Sequence, residues 1–453
     1  MKNSLIELIL AENESNCIYV PKKFYHEKLE TVCFGTLSVP CQIKVMTASQ
    51  HQVKISQDLI EQLKIPFCQP LHISATATSL HLGPLIGILS AGFTGSLLRP
   101  IGRRSLLFAK LLSTASITGG FPFLFGIHHV NWEHGTINGY FYTNNGWEQQ
   151  EVPLPNVIYN RLPNRKTESL ALFKTMKEQM ADYYGIPFFN PDFFNKWTIH
   201  ELLQTRKETN IFLPETVEAP TLEEIQSMLK RYSLVYLKPK SGSLGRGIYA
   251  VTYNDDSKTY TVRYKDSSEM VEKQNQDFKT LAQATFSPHL TENYIVQQGI
   301  LLLRKDNRVV DFRVHTNKNK ENKWEMTALA AKVAGKDSVT THMTNGGDIE
   351  PFQQIFTNPS TSKKMKTAIE HAAITISHVL EEQIAGFIGE IGFDFGVDNE
   401  GKIWLFEANS KPGRSIFTHP ALRREDHYTR RLSLEYAIYL AHQAIESLEA
   451  TYI

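Results

Sequence analysis

The sequence predicts an α+β / α/β multi-domain protein, and three observations predict it. At 453 residues the chain is about three times a ~150-residue domain, so about two to four folding units are expected. Hydrophobic residues make up 42% and aromatic residues 11%, enough to fill several cores. The patterning also changes twice along the chain: closely spaced short strands, then strand–helix–strand alternation, then helices interleaved with hairpins. Four segments follow. Residues 1–78 are a small β-rich module, 79–188 an α/β domain, 189–422 a larger body of helices and hairpins, and 423–453 a terminal helix.

In the first segment the runs 17–20, 31–37, 42–46, 51–55 and 70–75 read as strands, with a short helix over 57–63. A barrel is one closure such strands can take, and no chemistry is visible among them. Residues 85–89 are a strand, and a helix over 105–116 stops at Gly119-Gly120. Residues 121–130 read as a strand, followed by a hairpin, 135–143 and 146–152, that turns at Asn144-Asn145-Gly146. Residues 157–161 are a further strand. In the third segment 201–206 and 222–232 look helical, while 234–238 and 248–253 are strands around a glycine-rich loop. Residues 308–316 and 323–333 pair across a polar run, 362–383 is a long amphipathic helix, and 391–397 and 403–408 form a last hairpin. From Arg423 to Leu448 alternating charges mark an amphipathic helix with one solvated face.

Charge and composition exclude several classes. Lys plus Arg number 48 against 47 Asp plus Glu, which rules out a generally basic nucleic-acid binder. Four cysteines, Cys17, Cys33, Cys41 and Cys68, form no C-x-x-C pair and read as small core residues, neither a disulfide framework nor a zinc site. The apolar start is cut by Glu7 and lacks a small-residue cleavage site, so no secretory leader is expected. The uncharged stretch 81–98 is broken by five glycines and prolines, Gly83, Pro84, Gly87, Gly92 and Gly95, and reads as a buried strand plus loop, not a membrane span. A cytoplasmic protein is expected.

Two segments carry chemistry. In Lys238-Pro239-Lys240-Ser241-Gly242-Ser243-Leu244-Gly245-Arg246-Gly247, three glycines let backbone N–H groups approach a polyphosphate, and Lys238 and Lys240 supply positive charge. No G-x-x-x-x-G-K-[ST] is present, and a strand follows the glycines where a Rossmann or P-loop site needs a helix. A strand–loop–strand flap over phosphates is the remaining arrangement. In the last hairpin, a four-residue turn at 398–401 pairs Val397 with Lys402. Alternation then places Phe393, Phe395, Trp404 and Phe406 on a core face, and Asp394, Glu407 and Asn409 on the other. Three hard oxygen donors side by side suit Mg2+ that also holds nucleotide phosphates. Asp394-Phe395-Gly396 spells a kinase metal motif, but no H-R-D loop or V-A-I-K strand accompanies it. In a third segment, Asp311, Arg313 and His315 share one strand face, and pairing brings Lys332 to the same face as Arg313. Two fixed cations there can neutralise a transferring phosphoryl group or simply form a salt-bridged surface; the pattern leaves both open.

The order of these motifs resembles an ATP-grasp domain over roughly 190–415. It runs from Asn195-Lys196-Trp197 and Lys238 with its Gly loop through Asp311-Phe312-Arg313, Lys332, Asn345-Gly346-Gly347 and Gly389-Glu390 to Glu407-Ala408-Asn409-Ser410-Lys411-Pro412-Gly413. Leu82-Gly83-Pro84-Leu85-Ile86-Gly87-Ile88-Leu89 and Pro155-Asn156-Val157-Ile158-Tyr159-Asn160-Arg161 are similar to segments of the YheC/YheD-type endospore coat-associated proteins. The resemblance implies a Rossmann-like layer ahead of the ATP-grasp body, with ATP and Mg2+ as cofactors and Mn2+ as an alternative ion. It implies that Lys196 and Lys238 contact ATP, that Ser241–Gly247 is the flap, and that Gln297-Gln298-Gly299-Ile300 is the hinge reading adenine. Asp306 is the candidate for the ribose. Arg313 and Lys332 would face the γ-phosphate or an acyl phosphate as the catalytic cations, and Asp394, Glu407 and Asn409 would hold the metal. The implied activity is an ATP-dependent carboxylate–amine or carboxylate–thiol ligase tied to endospore coat formation, acting on a carboxylate the sequence does not name, with spore-coat proteins as partners. The alternative is a non-catalytic or nucleotide-binding structural component of the coat.

Overall fold

The computed structural model describes residues 5–47, 49–241, 247–266, 269–286, 290–335 and 347–451. Within them the mixed α and β class holds, and four sheets organise the chain.

The first sheet has eight strands in the order Leu37–Pro40, Thr31–Phe34, Ser79–Gly83, Pro70–Ala75, Ile6–Ala11, Gln52–Ser56, Cys17–Pro21, Gln42–Met46. The apolar start of the chain is therefore a strand, with Ile6 and Leu8 buried and Glu7 turned to solvent toward Gln52. Residues 31–37, read as one strand, are instead two strands folded back at Gly35, whose φ of 57° permits the tight turn. The second sheet runs Val130–Asn131, Thr136–Thr143, Phe121–Phe125, Leu85–Leu89, Val157–Asn160, Phe188–Phe189, with Gly146–Pro153 flanking Thr136–Thr143. Its four parallel members are buried along their whole length, as continuous apolar runs in a sheet covered on both faces must be. One face shares a core with the first sheet through Leu85, Phe121 and Phe123. Ser105–Leu112 and the terminal helix Arg423–Thr451 close the other, contributing Phe108, Leu434, Tyr436 and Leu440. The stretch 81–98 thus ends one strand, makes the next, and loops out. Among the described residues no helix is long and apolar enough to cross a membrane.

The third sheet is antiparallel: Thr216–Glu218, Tyr294–Gln298, Leu234–Pro239, Tyr249–Asn254, Thr259–Asp266, Glu269–Asn275. Helix Leu222–Tyr232, which starts on a Thr221/Glu224 capping box, packs Ile225, Met228 and Leu229 beneath it. The fourth sheet runs Asp348–Pro351, Trp324–Val333, Arg308–Lys318, Glu390–Val397, Ile403–Asn409, with Arg304–Lys305 beside Arg308–Lys318. Helix Pro359–Gln383 covers one face of it with Ile369, Ala372, Ala373, Ile376 and Leu380, a helical stripe against Val310, Phe312, Val314, Phe393 and Phe395. The opposite face is left for polar side chains, and it looks toward the third sheet.

Candidate functional site

Between the third and fourth sheets lies a cavity of about 640 Å3. Leu234, Tyr236, Ile300, Leu301, Leu302, Leu303 and Phe406 give it an apolar slot, while Lys196, Lys238, Asp311, Lys332, Asp394 and Glu407 give it a charged floor.

The floor is built by strand register. Asp311 stands opposite Lys332, and Arg313 opposite both Ala330 and Asp394, so Arg313 and Lys332 do share a face. Lys332 Nζ bridges Asp311 Oδ1 at 3.0 Å and Asp394 Oδ1 at 2.8 Å, and Arg313 Nε approaches the same Asp394 oxygen at 3.4 Å. Burial works against the Lys332 charge, but the two carboxylates outweigh it and hold its pKa above the ordinary lysine value. Asp394 and Glu407 are direct partners across the last hairpin, and Asn409 follows on the same face opposite Gly392. Glu407 Oε1 receives Lys196 Nζ at 3.0 Å from the first turn of helix Lys196–Gln204, which Asn195 caps. That helix begins five residues earlier than the sequence pattern suggests, which is what delivers Lys196.

One expectation about this hairpin is corrected. Val397 pairs with Ile403, not Lys402, and the register slips between Asp394 and Phe395. The longer turn puts Trp404 opposite Gly396, off the core face, and Phe406 is the extra residue of the β-bulge; the core face is made by Phe393, Phe395, Ile403, Leu405 and Ala408 instead. Phe406 turns into the cavity and lies over Gly396, where a Cβ would fall 2.5 Å from its ring. The oxygen trio keeps its common face because the extra residue in the turn and the extra residue in the bulge cancel: past the bulge Glu407 stands opposite Asp394 and Asn409 opposite Gly392.

On the third sheet, Lys238 Nζ donates to Gln297 Oε1 at 2.6 Å and stands over the Tyr236 and Phe406 rings at 5.6 and 5.4 Å. Burial lowers its pKa to about 8; Glu407 pulls it up and Lys196 pushes it down. Gln298 accepts from the Glu215 N–H, and Gly299 N–H donates to Leu234 O, so residues 298–299 are stitched to their neighbours on both sides. A Cβ on Gly299 would lie 2.3 Å from Leu234 Cγ and 2.7 Å from its carbonyl oxygen. Gly299→Ala should therefore cost about 1–3 kcal/mol by overpacking; a denaturant melt equal to wild type would contradict this.

The remaining predicted residues are placed as follows. Lys240 pairs with Glu218 at 2.8 Å and does not line the cavity. Ser241 sits near Asn195 Nδ2 at 3.5 Å. Gly247 turns with a φ of 71° beside the Tyr294 hydroxyl. Gly242, Ser243 and Gly245, like Asn345 and Gly346, lie outside the described residues. Asp306 occupies the exposed tip of the turn at 305–308 and is not part of the cavity wall; Arg304, Arg263 and Asn399 are the polar groups there. The sequence missed Tyr236, Phe406 and 301–303, whose apolar character alone reads as ordinary core.

Two sheets closing on a cavity with a glycine-turned flap strand on one side and a carboxylate hairpin on the other define an ATP-grasp domain. The family model for YheC/D-like ATP-grasp matches residues 185–440, and the chain belongs to that family. It is similar over nearly its whole length to the endospore coat-associated protein YheD of Bacillus subtilis (strain 168), with 42% identity over 450 residues, 97% of each chain. Endospore coat-associated protein YheC of the same organism is 26% identical over 287 residues, 62% of this chain and 78% of that one. Among solved structures, the ATP-grasp ligase PsnB complexed with minimal precursor superposes with a TM-score of 0.46 at 12% identity, over 78% of this chain and 100% of that one. VanG D-Ala:D-Ser ligase from Enterococcus faecalis gives 0.45 at 13% identity, over 79% and 99%.

Proposed function

We propose that the protein is an ATP-dependent ligase that activates a carboxylate as an acyl phosphate and passes it to an amine or other nucleophile, in the service of endospore coat formation. The observation that carries this reading is the single charged floor in which Lys196, Lys238, Lys332 and Arg313 meet Asp394 and Glu407 beside an apolar slot of nucleotide size. The slot between Tyr236, Phe406 and Ile300 takes the adenine, and the lysines take the phosphates. Asp394, Glu407 and Asn409 fit a hard divalent ion: three oxygen donors on one face, with Lys332 beside Asp394 and Lys196 beside Glu407. Among the described residues no group of three His, Cys, Asp or Glu able to hold a metal gathers; the proposed set is two carboxylates and the Asn409 amide. Bound there, Mg2+ supplies charge neutralisation at the phosphates.

The step needs no protein nucleophile. A carboxylate oxygen attacks the γ-phosphorus, the bond to the β,γ-bridging oxygen breaks, and ADP leaves. The nucleophile then attacks the acyl carbon, phosphate departs, and the amine proton is released. Arg313 and Lys332 stand where charge spreads over the phosphoryl oxygens, and catalysis is positioning and charge neutralisation.

Calorimetric titration of the full chain with ATP, with and without Mg2+, tests the reading. Mg2+-dependent binding near micromolar, about −8 kcal/mol, is expected, with ADP release once a carboxylate and an amine are supplied; no binding in either condition would refute it. The pH course adds a sharper expectation. Lys238 titrates near 8 in the free protein, and polyphosphate favours its charged form. Affinity is therefore flat below pH 8 and weakens about tenfold per unit above it. Lys238→Arg, which cannot deprotonate, should abolish that slope.

A further inference from the structure

Strand Arg308–Lys318 runs out of the cavity on its polar face in the order Asp311, Arg313, His315. Asp311 lines the nucleotide cavity; Arg313 stands at the Lys332–Asp394 pair; His315 lies one step further on. His315 is completely buried, and neither ring nitrogen has a hydrogen-bond partner among the described residues. Burial, reinforced by Arg313, Arg414 and Arg161, holds its pKa well below the usual range, so the imidazole is neutral.

Phe417 lies against this ring at 5.1 Å, Arg414 lies over the Phe417 ring at 4.6 Å, and Arg161 and Arg313 both flank Pro412, so three guanidiniums from different parts of the chain surround one buried neutral imidazole. Arg161 leaves the second sheet, Arg313 is on the fourth, and Arg414 follows the last hairpin. Five cations, Arg161, Arg313, Arg414, Lys332 and Arg430, meet four carboxylates, Glu390, Asp394, Asp311 and Asp426, with Asp394 shared by Arg313 and Lys332 and Asp426 by Arg414 and Arg430. Two buried donor atoms, Arg313 Nη1 and Arg414 Nε, are left with no acceptor among the described residues. Glu390 Oε2 is a buried acceptor in the same position. The three arginine side chains still reach solvent, with exposures of 12%, 12% and 9%. Arg161, Arg414 and Arg430 also line a cleft of about 10 Å3, the room of one water or one carboxylate oxygen. Stitching of the sheets explains the paired atoms and not these open donors. Buried donors and surplus positive charge are stable only where an anion completes them.

We infer that the strip over His315, from Arg313 to Arg414, is the acceptor subsite, and that its occupant is an acid carrying a second anionic group. The carboxylate to be activated meets Arg313, next to the Lys332–Asp394 pair, and the second anion meets Arg161 and Arg414. This rests on the ligase reading for which carboxylate is activated; the anion preference is a property of the arginine cluster alone. The fold thereby specifies a diacid or an acidic side chain beside a free carboxylate, and disfavours a simple monoacid.

The test is calorimetry of the full chain with succinate, glutarate, adipate and butyrate, each with and without the non-hydrolysable nucleotide AMP-PNP plus Mg2+. At least one diacid should bind about tenfold or more tightly than butyrate, as expected where a second charge-assisted contact is added. Arg414→Gln should erase that difference. Because Arg414 also holds Asp426 and Thr429, Arg414→Lys is the second variant: it keeps the charge, loses the Nε donor, and should also lose the preference. Diacids no tighter than butyrate, or a preference unchanged in both variants, would overturn the subsite. Failure of AMP-PNP to bind would sink the ligase reading, and the diacid titration without nucleotide would then decide the subsite by the same comparison.

Discussion

Glu407→Gln is expected to remove Mg2+-dependent ATP turnover, lowering kcat/KM by at least about 100-fold, since even partners one shell away from a metal cost 10–100-fold. Two effects of the substitution oppose each other and can be separated. Glu407 faces Asp394 across the hairpin and takes Lys196, so its charge both holds a divalent ion and repels a polyphosphate. Without Mg2+ the variant should bind ATP at least as tightly as wild type, because Lys196 loses its counter-charge and is released to the phosphates. With Mg2+ the wild type should gain affinity and the variant should not. Gln keeps the shape and one oxygen, and the backbone pairing with Asp394 does not involve the side chain, so the thermal melt should stay close to wild type. Full ADP release by Glu407→Gln would remove Glu407 from the metal set; equal Mg2+ dependence in both proteins would do the same.

The same hairpin shows what strand periodicity can and cannot read. Alternation counted from the turn places Asp394, Glu407 and Asn409 on one face, and the structure agrees because the extra residue in the turn and the extra residue in the bulge cancel for them. It fails for Trp404, which lies between the turn and the bulge, and for Phe406, the bulged residue itself. A period of two carries no information about where one residue is inserted. The available signal was Gly396, a residue without a side chain in an otherwise bulky strand, which makes room for Phe406. Lys332 shares the face of Arg313 because the slip between His315 and Thr316 lies between the turn and Lys332: it brings Lys332 opposite Asp311, where the register at the turn end alone would put it opposite Val310.

Other features were invisible for different reasons. Lys240 sits one strand period from Lys238 and shares its charge, but the chain leaves the sheet at Pro239, so Lys240 finds Glu218. Asp306 follows from the family's need for an acid at the ribose and from no pattern in the chain, and it lies on a solvent-exposed turn. The first strand, Ile6–Ala11, was read only for what it is not, a secretory leader, though its buried–exposed alternation is that of a half-covered strand. The arginine cluster is the extreme case. Arg161, Arg313 and Arg414 are separated by 100 residues or more, and nothing in any one segment marks the others.

Glu390→Gln should destabilise the fold by about 3–5 kcal/mol, the usual cost of leaving one member of a buried ion pair without its partner. In a chain of this size that is a fall in Tm of roughly 3–5 °C. Glu390 is 1% exposed, and one oxygen accepts from both the Arg161 guanidinium and the Tyr159 hydroxyl. Its main chain is fixed by Asn190, whose side-chain oxygen accepts from the N–H groups of Gly389 and Glu390 and whose amide donates to Glu390 O and Ser410 O. Residues on the second sheet are thus joined to the fourth sheet at one buried carboxylate. A substitution that also removes the cation, Glu390→Gln with Arg161→Met, should recover at least half of the loss, because no charge is then left unpaired. Anion binding should move the other way. With Glu390 neutral, Arg161 has no competing carboxylate, and the single variant should hold glutarate more tightly than wild type even as it melts earlier; the double variant should be stable and bind glutarate weakly. A stability loss with unchanged glutarate affinity would confine Glu390 and Arg161 to joining the sheets. Opposite signs in the two measurements would mean that the pair which fastens the two sheets also restrains the positive charge of the acceptor subsite, so that stability and substrate capture draw on the same guanidinium.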